Sequence, residues 1–545
     1  VFDPNPADGV PVSHQTETAA FRYIDLFAGI GGFHAVLDSM GGECVYAVEI
    51  DKAAQDVYEA NWGVRPLGSN DKGDITLDTQ TGVEVNVPEH DVLVAGFPCQ
   101  PFSKSGAQKG MDEIRGTLFF DIMRIVNDRK PAVVLLENVR NLAGPRHVHE
   151  WDVIIERLRK AGYRVSHTAS VLSPVKLAPE FGGHPQTRDR VFIAATRVAP
   201  VRPTPEAEEA LARGRIVLPD PVQDTDETVK PIALDHLKME RPWNLMADLP
   251  LDEKNVGGSS VNGDEWRWID HWERLVQRMR AMLAHEADCA GLPAKEIPGF
   301  PIWANVWTSD ENERQAALEG AAGMAWKVSH LRKNYELYDR LRSYDAFLAS
   351  TEEGADEKAS TEEGADEKAS TEKGADESRW TPNWLGTTRQ FPESRQKMEW
   401  QAQDSGSIRD CVISMRPSGL RVKQMTHLPA LVAISQTPII GPLERRLTIE
   451  EGTLLQGLPA SFKGATWKQL GNGVNTGVVA QALSAQVERD AALLELDERG
   501  RRVLAAVRET MRVTGGDLRE KIAAAVARGQ AKVSRADVVE GSRAA

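Results

Sequence analysis

Between residues 21 and 200, short apolar runs alternate with amphipathic ones. "YIDLF" (23–27), "CVYAVEI" (44–50), "DVLVAGF" (91–97), "AVVLLENV" (132–139), "YRVSHTASVL" (163–172) and "RVFIAAT" (190–196) are rich in β-branched residues and too short for buried helices. Each predicts a strand. Among the intervening residues, Phe33, Val36, Leu37 and Met40 fall at i, i+3, i+4 and i+7, and Leu118, Ile122 and Ile125 repeat that spacing. Helices therefore connect the strands. Such alternation predicts an α/β fold, a doubly wound and mostly parallel sheet covered on both faces. Ligands in these folds bind at the carboxyl ends of strands, where the polar motifs of this stretch lie.

The rhythm breaks after residue 200. Ten of the thirteen tryptophans fall within 201–440, among many prolines, which predicts an inserted, irregular second domain with most tryptophans in its core. Inside it, residues 350–378 repeat the unit "STEEGADEKA" with hardly a large apolar side chain. A stretch so poor in apolar surface cannot offset its ordering entropy, so a disordered acidic repeat is expected. A compact segment returns at 441–490, followed by a charged, alanine-rich helical tail over 491–545, while residues 1–20 read as a flexible polar arm.

Charge alters the picture less than its total implies. The formal net charge is −15, but residues 350–378 hold eleven Asp/Glu against three Lys, leaving −7 for the rest of the chain. A locally basic groove for nucleic acid is compatible with that distribution. No run approaches the ~18 apolar residues of a membrane span, and the first residues lack the order of a signal peptide, so a cytoplasmic location is expected. The four cysteines, Cys44, Cys99, Cys289 and Cys411, show no C-x-x-C spacing, which predicts neither a disulfide framework nor a cysteine metal site.

Candidate chemistry begins with "GFPCQPFS" (96–103), where two prolines stiffen the loop around Cys99 as a directed nucleophile requires. In "DLFAGIGGF" (25–33), Gly29, Gly31 and Gly32 let a strand turn sharply into a helix beside a ligand. A plain tight turn carries the same glycines. Glu49, about twenty residues on, is placed to accept from ribose hydroxyls, and Asp74 with Ile75 to meet an adenine by a polar edge and an apolar face. Glu137 ends the apolar run "LLENV", where burial raises a carboxyl pKa towards that of a proton donor. Arg188 and Arg190 of "QTRDR" share a face if the strand begins there, and two guanidiniums would steady a thiolate and an oxyanion. A capping glutamate and an exposed arginine pair are the plainer readings of those two motifs.

Taken in order, "DLFAGIGGF", "VEID", "GDI", "GFPCQPFSKSG", "ENVRNL", "QTRDR", "RRLTIEEGTLLQGLP" and "GNGV" resemble the DNA (cytosine-5)-methyltransferases of bacterial restriction–modification systems. The resemblance covers 23–200 and about 410–485. It implies a Rossmann-like, S-adenosylmethionine-dependent catalytic domain split into 21–200 and 441–490, with 201–440 as target-recognition domain. It further implies that Cys99 adds to C6 of a cytosine flipped out of duplex DNA, that Glu137 engages N3, and that Arg188, supported by Arg190, holds the base carbonyl. Phe27 and Glu49 would contact adenine and ribose, Asp74 and Ile75 flank the adenine, and Asn472 meets the methionine end. Ser105 would enter the gap left by the base; Lys104, Arg115, Arg416 and Arg421 are candidates for DNA contact. A cognate restriction endonuclease is the expected functional partner. An RNA (tRNA) cytosine-5 methyltransferase and a catalytically silent DNA-binding relative are the alternatives.

Overall fold

The computed structural model describes residues 19–98, 118–251, 256–293, 295–359, 379–431, 437–512 and 515–544. The first sheet is built from β1 (Phe21–Leu26), β2 (Gly42–Val48), β3 (Val92–Gly96), β4 (Val133–Val139), β5 (Tyr163–Arg164), β6 (Ser170–Leu172) and β7 (Arg190–Arg197). Their order is β2-β1-β3-β4-β7-β5, with β6 also against β7. The first four strands are parallel, and β7 runs antiparallel to β4, β5 and β6. All six apolar runs form strands; "YRVSHTASVL" divides into β5 and β6.

Helices α1 (Gly32–Ser39), α2 (Lys52–Trp62), α3 (Ile75–Asp78), α4 (Leu118–Arg129) and α5 (Val148–Lys160) occupy the intervals. Successive strand residues separate cleanly between two cores. Ile24, Leu93, Val134 and Ile193 face the core that holds Ile122 of α4 and Ile154 of α5. Tyr23, Val92, Leu135 and Phe192 face the opposite core. Period-two alternation thus fills both sides of the sheet.

The inserted region is more regular than its sequence predicts. It carries α6 (Gly263–Ala290) and α7 (Ala325–Ala359), and a second sheet of β8 (Ile302–Trp303), β9 (Lys397–Gln401), β10 (Val412–Arg416), β11 (Gly419–Lys423), β12 (Ile439–Ile440) and β13 (Arg445–Arg446). The order is β13-β12-β10-β11-β9-β8. Trp272, Trp307, Trp384 and Trp400 are buried in its core, together with Met398, Ile413, Met415, Leu420 and Val422. The first acidic unit, 350–359, continues α7 where disorder is expected; 360–378 lie outside the described residues, as do 1–18.

After β13 come α8 (Trp467–Asn472), α9 (Thr476–Arg489), α10 (Glu498–Met511) and α11 (Gly515–Ala544). Val479 and Leu483 of α9, Val503 and Val507 of α10, and Ile522 and Val526 of α11 enter the same core as Tyr23 and Val92. The C-terminal helices therefore close one face of the first sheet rather than trailing from it. Ile232, Leu234, Leu245 and Leu249 also join that core, and the second sheet reaches Arg446. Neither the apolar residues before Leu249 nor the two-residue strands β12 and β13 carry a periodic signal.

Candidate active site

A cavity of about 440 Å3 opens at the carboxyl ends of β1, β2, β3 and β4. Phe27, Gly29, Glu49, Asp74, Ile75, Glu137, Arg190 and Asn472 all line it. The turn after β1 needs left-handed backbone at Phe27 (φ 56°), Gly29 (φ 55°) and Gly31 (φ 88°). Its geometry leaves the Gly29 N–H donating to Glu49 Oε2 at 2.9 Å, while the Asp51 N–H donates to Oε1 at 2.8 Å. Both carboxylate oxygens are fixed, and each keeps a lone pair for a further donor.

The other two glycines of the turn do not line the cavity. A Cβ at Gly31 would lie 2.1 Å from Trp62 Nε1, whose N–H donates to the Ile30 carbonyl at 3.0 Å. At Gly32 it would lie 2.6 Å from Val474 Cγ2. Gly31 admits the indole that braces the turn, and Gly32 admits the "GNGV" segment from more than four hundred residues away. The returning chain is held further by Lys468 Nζ on Asp51 Oδ2 at 2.6 Å and by Gln469 Nε2 donating to the Ala53 carbonyl at 2.8 Å.

At the opposite end, β3 and β4 set Gly96 beside Glu137 in register. Asn138 Nδ2 donates to the Phe97 carbonyl at 2.8 Å, tying the end of β4 to the backbone two residues before Cys99. Glu137 is buried, and Arg190 Nε lies 2.9 Å from its Oε1. Burial raises the carboxyl's pKa, opposed first by Arg190 and then by Arg188.

Arg188 departs from expectation. It is 1% exposed and absent from the cavity wall. Its Nη2 donates to the carbonyls of Gly471, at 2.8 Å, and Gly473, and its Nη1 to that of Leu431 at 3.3 Å. The guanidinium donates to three carbonyls on two backbone segments, and the nitrogen beside Glu137 is that of Arg190. Strand alternation does not pair the two arginines, because β7 begins at Arg190 and Arg188 precedes it. Arg421 is bonded to Glu399 and Arg416 stands on the same face of the second sheet, both outside the cavity wall. Cys99, Lys104, Ser105 and Arg115 lie outside the described residues.

Residues 21–265 match the family described as C-5 cytosine-specific DNA methylase. The chain is 42% identical over 551 aligned positions to "Type II methyltransferase M.AluI" of Cellulosimicrobium cellulans, covering 90% of this chain and 96% of that protein. The chain belongs to the C-5 cytosine-specific DNA methylase family. "Type II methyltransferase M.HhaI" of Haemophilus parahaemolyticus is 45% identical over 181 residues, which is 33% of this chain and 50% of that protein. "Type II methyltransferase M.NlaX" of Neisseria lactamica is 46% identical over 177 residues, covering 32% and 51%.

As a C-5 cytosine DNA methylase, the chain uses S-adenosylmethionine to methylate C5 of cytosine in DNA. The cavity fits that cofactor on its own terms. Its volume is within the roughly 300–1,000 Å3 of small-molecule sites. It also offers a fixed carboxylate at Glu49 and an open approach at Gly29, where an added Cβ would meet nothing within 4 Å. Ile50, missed by sequence reasoning, stands at its rim with 68% of its surface exposed. An apolar residue between two acids just past a strand end was the available signal. Among the described residues no group of His, Cys, Asp and Glu could hold a metal, and no helix is long and apolar enough to cross a membrane.

Proposed function

We propose that this methylase modifies one cytosine within a specific duplex sequence through a covalent adduct on Cys99, and that it protects DNA from a cognate restriction endonuclease. The observation that carries the site assignment is the Glu137–Arg190 pair at the cavity wall, beside the loop that leads to Cys99. Cys44 and Cys411 are poor rivals, since burial pushes their thiols up to about 12 and about 11.

In this reading the Cys99 thiolate adds to C6 of the flipped base, and electron density moves to C5. Glu137, whose proton affinity burial raises, engages N3 and offsets the developing charge. Arg190 holds the ring carbonyl and limits how far Glu137 drifts from ionisation. Asn138 holds the Phe97 carbonyl, two residues before Cys99. Bound S-adenosylmethionine supplies an electrophilic sulfonium methyl. Glu49 would accept from its ribose, Phe27, Ile50 and Ile75 would enclose the adenine with Asp74 at its edge, and Asn472 would meet its methionine end, all of them residues that line the cavity. The protein's contribution is orientation and charge placement.

Bisulfite sequencing of DNA from cells expressing the chain tests the proposal. One protected cytosine in a fixed sequence is expected; methyl transfer confined to RNA would reject it. Cys99→Ser is expected to abolish turnover while leaving S-adenosylmethionine binding intact, and retained turnover would remove Cys99 from the mechanism.

A further inference from the structure

One face of the second sheet is apolar throughout, and the other is polar over β9, β11 and the end of β10, while Val412 and Ile440 enter the core beneath the first sheet. Met398 and Trp400 of β9, Met415 of β10, and Leu420 and Val422 of β11 point into the tryptophan core. Alternation turns Glu399 and Gln401, Ser414 and Arg416, and Arg421 and Lys423 to the other side. The register sets Arg421 opposite Ser414 and beside Glu399, and Lys423 beside Gln401. Lys397 of β9 lies on this side too, paired with Glu393 at 2.8 Å, and the other three cations, Arg416, Arg421 and Lys423, share the one carboxylate of Glu399.

That patch is electrostatically incomplete. Burial, then Arg421 and Arg416, push the Lys423 pKa down, and only Glu399 opposes. Arg416 is pushed down by burial and by Arg421, again with Glu399 alone opposing. Mutual repulsion among half-buried cations is relieved by a polyanion. The patch also adjoins the active site. Beyond Lys423, whose Nζ lies 3.5 Å from His427 Nε2, Leu428 pairs with the catalytic loop. Its N–H donates to the Pro185 carbonyl at 2.8 Å, and its own carbonyl accepts from the Thr187 N–H at 2.9 Å. Four residues separate Lys423 from a backbone that leads directly to Arg190.

Arg421 is held differently from its neighbours. Its Nε donates to Glu399 Oε2 at 2.7 Å, and Nη2 lies 2.6 Å from the same oxygen. One side of the guanidinium is braced, and the outer edge, with the Nη1 donors, faces away from the carboxylate. A guanidinium fixed in this way presents two parallel N–H groups, the complement of guanine O6 and N7 in the major groove.

We propose that Arg421, braced by Glu399, reads one guanine of the target duplex, with Lys423 and Arg416 on the adjoining phosphates. The proposal rests on the reading of the chain as a sequence-specific duplex methylase and assigns part of its specificity.

The experiment measures methylation rates on the bisulfite-defined duplex and on duplexes carrying each single base-pair replacement, with gel-shift affinities on the same set. Arg421→Ala is expected to lose roughly ten- to a hundredfold of discrimination at a single G·C pair and to keep discrimination elsewhere. Glu399→Gln loses less, at the same pair. Lys423→Ala weakens all duplexes alike and reduces the salt-dependence slope by about 1. An Arg421→Ala chain that slows on every duplex equally, or changes on none, overturns the proposal. If it is too slow to assay, the affinities over the same set decide by the same pattern. Failure of the unaltered chain to methylate any duplex would instead reject the functional reading beneath it.

Discussion

Exchanging the expected roles of Arg188 and Arg190 yields a sharp experiment. Replacing Arg188 with Met preserves bulk but removes the donors on the carbonyls of Leu431, Gly471 and Gly473. Each buried acceptor left without its partner costs about 1–3 kcal/mol, so the three together cost about 5 kcal/mol. That is a large part of the ~5–15 kcal/mol that holds a domain folded. The damage falls on the segment bearing Asn472, which lines the cofactor cavity. Arg188→Met is therefore expected to lower the melting temperature by about 10 °C and to weaken S-adenosylmethionine binding. Arg190→Met removes the cation 2.9 Å from Glu137 and with it the largest opposition to the upward push of burial on that carboxyl. Stability and cofactor affinity should hold, while kcat falls about 10²–10³-fold, the usual cost of one lost transition-state donor. Differential scanning fluorimetry, cofactor titration and single-turnover kinetics separate the two. A stable Arg188→Met chain with normal cofactor binding and no turnover would return the base carbonyl to Arg188 and refute this reasoning.

Ile50→Asp should raise the KM for S-adenosylmethionine roughly ten- to a hundredfold, the value of one covered apolar side chain, with kcat at saturation unchanged; an unaltered KM would exclude Ile50 from the cofactor site. Gly32→Ala forces a methyl to within 2.6 Å of Val474 Cγ2, so it should cost about 1–3 kcal/mol, and adding Val474→Ala should recover part of that loss in thermal melts. His34, stacked on Trp62 at 4.4 Å, is lowered to about 3 by burial and then by Lys532. Because its folded pKa lies below the unfolded value near ~6.5, the unfolded chain takes up the proton first, and stability falls as pH drops from about 6.5 towards 3. Urea melts of His34→Gln over that range should show a shallower pH dependence than those of the unaltered chain, and an equal slope would remove His34 as a contributor.

The two-residue β5 was legible only within the longer run it shares with β6, whereas the other strands of the first sheet were legible because each lies in a β-branched run long enough to alternate. Strands β12 and β13 were not, since two residues cannot display a period. The packing of residues 491–544 was hidden for another reason. Their helical spacing marks an apolar stripe but names no partner, and the partner is the sheet face carrying Tyr23, Val92 and Leu135. Gly529 makes the docking tight, for a Cβ there would lie 2.1 Å from the Asn61 carbonyl oxygen. Composition read those helices as a tail; burial makes them a wall of the catalytic lobe.

Site residues divide along the same line. Glu49, Glu137, Asp74 and Asn472 line the cavity because each lies at or near the end of an element, and strand ends are where this architecture gathers ligand groups. The surroundings of Arg188 were not legible because side-chain direction follows alternation only inside a strand, and β7 starts two residues later. Its partners come from residues 431, 471 and 473, more than two hundred positions away, and no local pattern encodes contacts at that separation. The same argument covers Arg421. Its brace, Glu399, sits on a parallel neighbour twenty-two residues back, a pairing fixed by the register of β9 against β11. Sequence alone placed chemistry at element ends, whereas the division of labour between similar cations is decided by which carbonyl or carboxylate the fold brings to each guanidinium.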